Sequence, residues 1–438
     1  MGMNGRLAPS LLKRPVVPRH CPGAYGWACA VTRVRPTGKP AREPPPMRFS
    51  SLTDRIRGDR VAAWDIHFAA WTAKGRGEDV IVLSVGDPDF DTPAPVRDAA
   101  IAALHAGDTH YTPIPGRPEL RAALARDVAR RTGLPVEPEN VIVCAGAQNG
   151  LFNATLCLVE AGDEVLVPEP MYLTYEACVR ASGATLVPVA PDAATLRLDP
   201  AALAAAVTPR TRAIFLATPA NPTGIVMSAE ELEAVADLAR RHDLWVVADE
   251  VYASLTFDRP HIGIATLPGM AERTVTINSL SKSHAMTGWR AGWVVAPAPL
   301  VAHMGTLALC MLYGLPGFVQ QAALVAVEQG DEAVAAMREG YRRRRDIALE
   351  ALGSVPGLRC LKPEAGMFML VDVRGTGLPT MEFAWRLFRE TGVSVLDAGA
   401  FGPAAAGCVR LSFAVSEAEL AEACRRIAAF VTGLASGG

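Results

Sequence analysis

From about residue 95 to residue 300 the chain repeats one pattern. A short apolar run without alternation is followed by a stretch with helical spacing. The runs are Val141-Ile-Val-Cys, Glu164-Val-Leu-Val, Ala184-Thr-Leu-Val-Pro-Val, Ala213-Ile-Phe-Leu, Leu244-Trp-Val-Val-Ala, Thr274-Val-Thr-Ile and Gly292-Trp-Val-Val. A strand covered on both faces has no polar side to alternate, and an intervening helix lets the next strand pair in parallel. The pattern therefore predicts an α/β large domain: a mainly parallel seven-stranded sheet in the middle of three layers.

The last third reads differently. Residues 331–353 have the spacing of one long charged helix, followed by strand-like Met367-Phe-Met-Leu-Val-Asp and Cys408-Val-Arg-Leu-Ser-Phe and by closing helices. This predicts a smaller α+β domain made of residues 47–94 with 331–438, against a large domain of residues 95–330. The run Arg342-Arg-Arg-Arg345 reads as a solvated helix face, not a nucleic-acid patch. Residues 1–46 are rich in Pro, Gly and Arg, hold one acid (Glu43) and lack an apolar core. They are expected to be a disordered extension, with Met47 as a candidate true start. The uncharged run Ala291–Val327 is long enough for a membrane span, but Pro297, Pro299 and Pro316 and several glycines interrupt it. Strand, turn and subunit interface are the expected uses.

Composition narrows the function classes. Of 438 residues, 50% are hydrophobic and 20% charged, and 43 Lys plus Arg against 45 Asp plus Glu give a formal charge of −2. Such a balance offers no attraction for nucleic acid or an anionic membrane, so small-molecule partners are expected. Nine dispersed cysteines and eight histidines form no metal-ligand spacing, so no metal is expected. With no signal peptide or span, the expected location is the cytoplasm.

In open α/β sheets ligands sit beyond the carboxyl ends of the strands. Five loops there carry polar residues. Ala145-Gly-Ala-Gln-Asn149 opens a helix and can offer backbone N–H groups to an anion. Thr218-Pro-Ala-Asn-Pro-Thr-Gly224 reads equally well as a turn. Asp249-Glu-Val-Tyr252 ends a buried strand, where a carboxylate needs a cation and a structural ion pair is the plain alternative. Ser279-Leu-Ser-Lys282-Ser precedes Gly288-Trp-Arg290. Its Ser-x-x-Lys also occurs in serine acyl-enzymes, but the companion Ser-Asp-Asn and Lys-Thr-Gly motifs are absent. Cys408-Val-Arg410-Leu-Ser places an arginine inside an apolar strand.

With Gly86-Asp-Pro-Asp-Phe and His110-Tyr-Thr-Pro-Ile-Pro-Gly116, these motifs resemble those of the class I/II aminotransferases of fold type I, in order and spacing, from about Arg48 to the carboxyl terminus. The resemblance implies pyridoxal 5′-phosphate as cofactor, an amino acid and a 2-oxo acid as substrates, and a ping-pong transfer. Lys282 would carry the cofactor as a Schiff base and move the proton. Asp249 would face the pyridine nitrogen, and Asn221 and Tyr252 would bond the ring oxygen. Tyr172 would stack on the ring. Ser279, Arg290 and the Ala147-Gln148 backbone would hold the phosphate, with Tyr111 reaching in from a second subunit, which implies a homodimer with shared sites. Arg410 would clamp the substrate carboxylate, with Asn221 and the Gly86 backbone beside it.

A narrower likeness, in Ala63-Trp-Asp-Ile-His67, in Asn278 to Arg290 and in Leu307 to Gly314, is to arginine–pyruvate aminotransferases. A guanidinium side chain needs an acid, and Asp65 is the candidate, with a surface cap or ion pair as its plain alternative. Another enzyme of the same cofactor, such as a C–S β-lyase, would use the same core. A cofactor-binding transcriptional regulator would need a DNA-binding domain, for which residues 1–46 are too short and Pro-rich.

Overall fold

The computed structural model describes residues 47–57 and 64–436. The expectation for residues 1–46 lies outside the described residues. Thirteen strands follow in chain order: β1 (Ile81–Val82), β2 (Val141–Cys144), β3 (Glu164–Pro168), β4 (Thr185–Val189), β5 (Thr211–Ala217), β6 (Trp245–Asp249), β7 (Thr274–Ser279), β8 (Gly292–Val295), β9 (Arg359–Cys360), β10 (Phe368–Asp372), β11 (Val393–Ser394), β12 (Leu396–Asp397) and β13 (Cys408–Ser412).

All seven predicted apolar runs join one sheet, in the order β2-β8-β7-β6-β5-β3-β4. Its sides explain the missing alternation. Successive residues of a strand point to opposite faces. Along β5, Ala213 and Phe215 enter one apolar cluster while Ile214 and Leu216 enter another. The same split separates Val247 from Val246 and Ala248 on β6. The edge strand β4 departs most from this, with Thr185 and Pro188 both exposed to solvent.

The sheet is parallel except at β8, which runs antiparallel to both β7 and β2. That reversal has a consequence for chemistry. A parallel partner would require the chain to cross back to the amino edge of the sheet. An antiparallel one lets the whole connection from Ser279 to Ala291 stay at the carboxyl edge. Pairing then aligns Ala217, Asp249 and Ile277 in one row. Ser279, Gly292 and Cys144 form a second row beside it. The loops that follow these residues converge on one spot.

A smaller antiparallel sheet, β12-β13-β10-β9, and the β1–β11 pair belong to a second core. Helices Thr380–Thr391 and Glu417–Ser436 pack there, as does the 22-residue helix Asp331–Leu352. On β13, Val409 and Leu411 enter this core, so Arg410 between them faces the other way, toward the large domain.

The arginine run on the long helix is not simply a solvated face. Arg342 and Arg343 lie outward and pair with Glu339, Asp346 and Glu417. Arg344 and Arg345 are turned inward, with side chains 8% and 4% exposed, and pair with Asp89 and Asp258. Four consecutive helical positions spread over about 300° of the helix circumference, so one run cannot occupy one face. The uncharged run Ala291–Val327 becomes β8 and two helices, Ala298–Met311 and Gly317–Gln329. Among the described residues no helix is long and apolar enough to cross a membrane.

Arg344 forks onto both oxygens of Asp89, at 2.7 and 2.9 Å, with the Phe90 ring 4.8 Å from its central carbon. The arginine is buried but the Asp89 side chain keeps 29% exposure, so removing the arginine costs about 1–2 kcal/mol in lost charge-assisted bonds and packing. Arg344→Met should therefore lower the thermal unfolding midpoint by several degrees. An unchanged midpoint in a calorimetric scan would mean that this pair contributes nothing.

Candidate active site

The converging loops enclose a cavity of ≈ 210 Å³. Ala147, Gln148, Tyr172, Asn221, Asp249, Tyr252, Ser279, Lys282 and Arg290 all line it, together with Tyr175 and Thr287. Nine residues proposed from scattered motifs thus share one wall.

One end of the cavity is built for an anion. Helix Ala147–Leu158 begins there, and its first N–H groups have no partner within the helix. The Gln148 side chain is occupied elsewhere, accepting from Thr174 at 2.7 Å and donating to Cys178 at 3.3 Å. Only its backbone is free for a ligand. Arg290 has φ 57°, rare for a residue with a side chain. Its Nη1 donates to the Thr287 carbonyl at 2.7 Å and its Nη2 to Ala145 at 3.3 Å, which holds this backbone in place. A Cβ on Gly146 would stand 2.4 Å from that guanidinium, so the glycine is what lets arginine and helix terminus meet.

The opposite end carries a buried acid. Asp249 accepts from the Tyr175 hydroxyl at 2.8 Å and from the Val251 N–H at 3.3 Å. Burial pushes its carboxyl up to about 6, against the pull of these two donors. A protonated ring nitrogen opposite would supply the missing counter-charge. Tyr175 was not singled out from sequence. It stands three positions after Tyr172, at the start of helix Thr174–Ser182, and the two rings meet edge to face at 5.8 Å.

Between the two ends lies the amine. Ser279 caps the four-residue helix Leu280–Ser283 by accepting from the Ser281 N–H at 2.9 Å, and Lys282 projects from that turn. Its Nζ donates to the Gly86 carbonyl at 2.6 Å. Burial pulls the amine down to about 8, opposed by Asp87 and reinforced by Arg410 and Arg290. A Cβ on Gly86 would lie 2.0 Å from the Phe368 ring, which explains why the chain needs glycine there.

Arg410 enters from the small domain. It is 2% exposed, and Phe368 and Phe401 lie 4.2 and 5.0 Å from its guanidinium carbon. Its Nη1 donates to Asn221 Oδ1 at 3.1 Å, and Asn221 also hydrogen-bonds the Tyr252 hydroxyl. Gly86 and Arg410 do not line the cavity themselves but bond to Lys282 and Asn221, which do, whereas two further sequence candidates are not brought to it. Asp65 is exposed in the first turn of helix Asp65–Gly75, and Tyr111 is 86% exposed with its ring 4.8 Å from that of Tyr313.

An anion cradle, a buried amine and a buried carboxylate in that sequence fit a phosphorylated aldehyde with a basic ring nitrogen. The family profile for aminotransferase class I and II matches residues 78–427. The chain belongs to the class I and II aminotransferases. Among relatives of this aminotransferase, it is 54% identical over 383 residues to the arginine–pyruvate transaminase AruH of Pseudomonas aeruginosa, covering 87% of this chain and 98% of that protein. The solved aspartate aminotransferase of Thermus thermophilus with maleate superimposes with a TM-score of 0.83 at 37% identity, covering 87% and 100% of the two chains. The aromatic aminotransferase of Pyrococcus horikoshii OT3 gives 0.80 at 34%, covering 87% and 99%. The fold is fold type I, the activity is that of a pyridoxal-phosphate-dependent aminotransferase, and its substrates are amino acids and 2-oxo acids.

The Asp249 environment yields a pH prediction. A neutral carboxyl cannot balance a protonated ring, so affinity for pyridoxal phosphate should fall as pH drops through about 6. Tyr175→Phe removes a donor that favours the ionised acid, and should start the fall about one pH unit higher. Cofactor titrations of the apoprotein by absorbance measure this. An identical midpoint in the variant would rule out Tyr175 as a tuner of Asp249.

Proposed function

We propose that this aminotransferase moves the α-amino group of L-arginine to pyruvate, in two half-reactions at the Lys282 site. The observation that carries the substrate choice is the 54% identity, over 98% of its length, to a protein named arginine–pyruvate transaminase.

When bound, pyridoxal phosphate supplies an aldehyde that takes up the amino group and a ring that accepts the electron pair left when the α-proton departs. The protein's part is to place groups around that chemistry. Arg410 holds the substrate carboxylate, because its charge is buried beside neutral acceptors and its Nε has no partner. This orientation sets the α-hydrogen toward Lys282. With its amine lowered to about 8, Lys282 has a sizeable neutral fraction near pH 7 and can take the proton from Cα. Asp249 would hold the ring nitrogen protonated. Asn221 and Tyr252 would hold the ring oxygen, Tyr172 would cover the ring face, and Ser279, Arg290 and the Ala147-Gln148 N–H groups would hold the phosphate. Gly86 contributes its backbone beside the substrate.

The shared-site homodimer belongs to the same proposal. Tyr111 and Tyr313 form an exposed aromatic pair, and Leu309 and Met311 extend the apolar surface beside Tyr313. A second copy would cover them and bring Tyr111 to its phosphate cradle. We place the protein in the cytoplasm, a location compatible with its seven unpaired cysteines among the described residues.

With pyruvate as acceptor, arginine should be the best of twenty amino donors when alanine formation is followed. A clearly faster aspartate or aromatic donor would overturn the arginine reading and leave the aminotransferase intact. Asp65, two residues before the buried His67, is the proposed acid for the guanidinium. Asp65→Ala should cost about tenfold or more in kcat/KM with arginine and little with an uncharged donor. Equal losses on both would remove Asp65 from substrate recognition.

A further inference from the structure

Arg410 is the charge on which the proposed carboxylate clamp depends, yet the groups that aim it are neutral. Nη1 meets Asn221, and Nη2 donates to the backbone carbonyl of Ser84 at 2.9 Å. Ser84 is thus one of two polar anchors for the guanidinium. Its position follows from its own hydroxyl, which is fully buried and held from both sides. His67 Nδ1 lies 3.0 Å away and Ser394 Oγ 3.2 Å away. His67 comes from helix Asp65–Gly75, Ser84 follows β1, and Ser394 ends β11. Three segments distant in sequence therefore meet behind one arginine.

His67 is itself 9% exposed, packed by the rings of Trp64, Phe68 and Trp71 at 5.7, 5.8 and 6.1 Å. Burial, reinforced by the Arg410 charge, lowers it to about 4, so the imidazole is neutral where the enzyme works. A neutral ring can hold Ser84 without setting a second cation beside the clamp. A buried histidine with only a packing role would need none of this connection. A phenylalanine would complete the same aromatic cluster.

We propose that His67 is a positioning residue for substrate carboxylate binding: through the Ser84 hydroxyl it fixes the carbonyl that aims Arg410. The proposal rests on Arg410 being the carboxylate clamp. It concerns both half-reactions, because the amino acid and the 2-oxo acid present the same carboxylate.

The test measures kcat and KM for the amino donor and for pyruvate in the holoenzyme, with cofactor content checked by absorbance. The variants are His67→Phe, His67→Asn, Ser84→Ala and Arg410→Lys. His67→Phe and Ser84→Ala should raise both KM values about tenfold, the effect of one misaligned charge-assisted hydrogen bond, with kcat within about threefold. His67→Asn can place an amide near the position of Nδ1 and should recover most of the loss. If both KM values stay at the wild-type level in His67→Phe and Ser84→Ala while Arg410→Lys raises them, the proposal is overturned and His67 only packs. If Arg410→Lys also leaves them unchanged, the clamp is misassigned and the proposal falls with it. Should His67→Phe fail to fold, Ser84→Ala decides alone, since it removes a single oxygen.

Discussion

Three ionisable side chains are buried around one cavity, and the partners that hold them there are neutral. Asp249 has the Tyr175 hydroxyl, Lys282 has the Gly86 carbonyl, and Arg410 has Asn221 and Ser84. Desolvation raises the acid to about 6 and lowers the two bases to about 8 and about 10. Burying charges this way is unfavourable unless something completes them. The cofactor and the substrate carboxylate have the complementary charges. Under the proposed assignment these ligands would turn three costly buried charges into favourable interactions, and this constraint organises much of the surrounding structure.

A charged group in a dry site must be held firmly, and the fold provides that with a sheet edge. The antiparallel β8 keeps Ser279, Lys282 and Arg290 on one short connection at the carboxyl edge. Parallel pairing of β5, β6 and β7 sets Ala217, Asp249 and Ile277 level. Glycine appears where two such parts must touch. Gly146 admits the Arg290 guanidinium, and a Cβ on Gly292 would fall 2.7 Å from the Gly146 backbone.

The segment Gly86–Phe90 ties this edge to the second domain. Lys282 holds the Gly86 carbonyl, Thr287 donates to Asp87 at 2.7 Å, and Arg344 on the long helix forks onto Asp89. Upstream of it, Ser84 supports Arg410 and connects to His67 and Ser394. One stretch of seven residues, Ser84 to Phe90, thus contacts Lys282, Arg410 and the helix that packs the small domain. In the sequence only the family likeness of Gly86-Asp-Pro-Asp-Phe marked it, because its carbonyls and carboxylates bond to partners far along the chain.

The sequence by itself determined the seven strands and the mainly parallel sheet, and it marked Lys282 as the candidate to bear the cofactor. Burial on both faces erases alternation, and ligand-facing residues must follow strand ends, so both leave local marks. It also marked Asn221, Asp249, Arg290 and Arg410, because polar residues beside apolar runs are conspicuous. Tertiary structure alone decided what those residues touch. Tyr175 carries no local sign of its bond to Asp249, since a tyrosine on an amphipathic helix reads as core. The arginine run read as one exposed face, yet the helix turned Arg344 and Arg345 inward, to partners 255 and 87 residues away. His67 entered only as the end of the run Ala63–His67, with no local sign of its bond to Ser84. Hydrogen-bond partners at such separations are set by the packing of whole elements, and no local pattern along the chain encodes it.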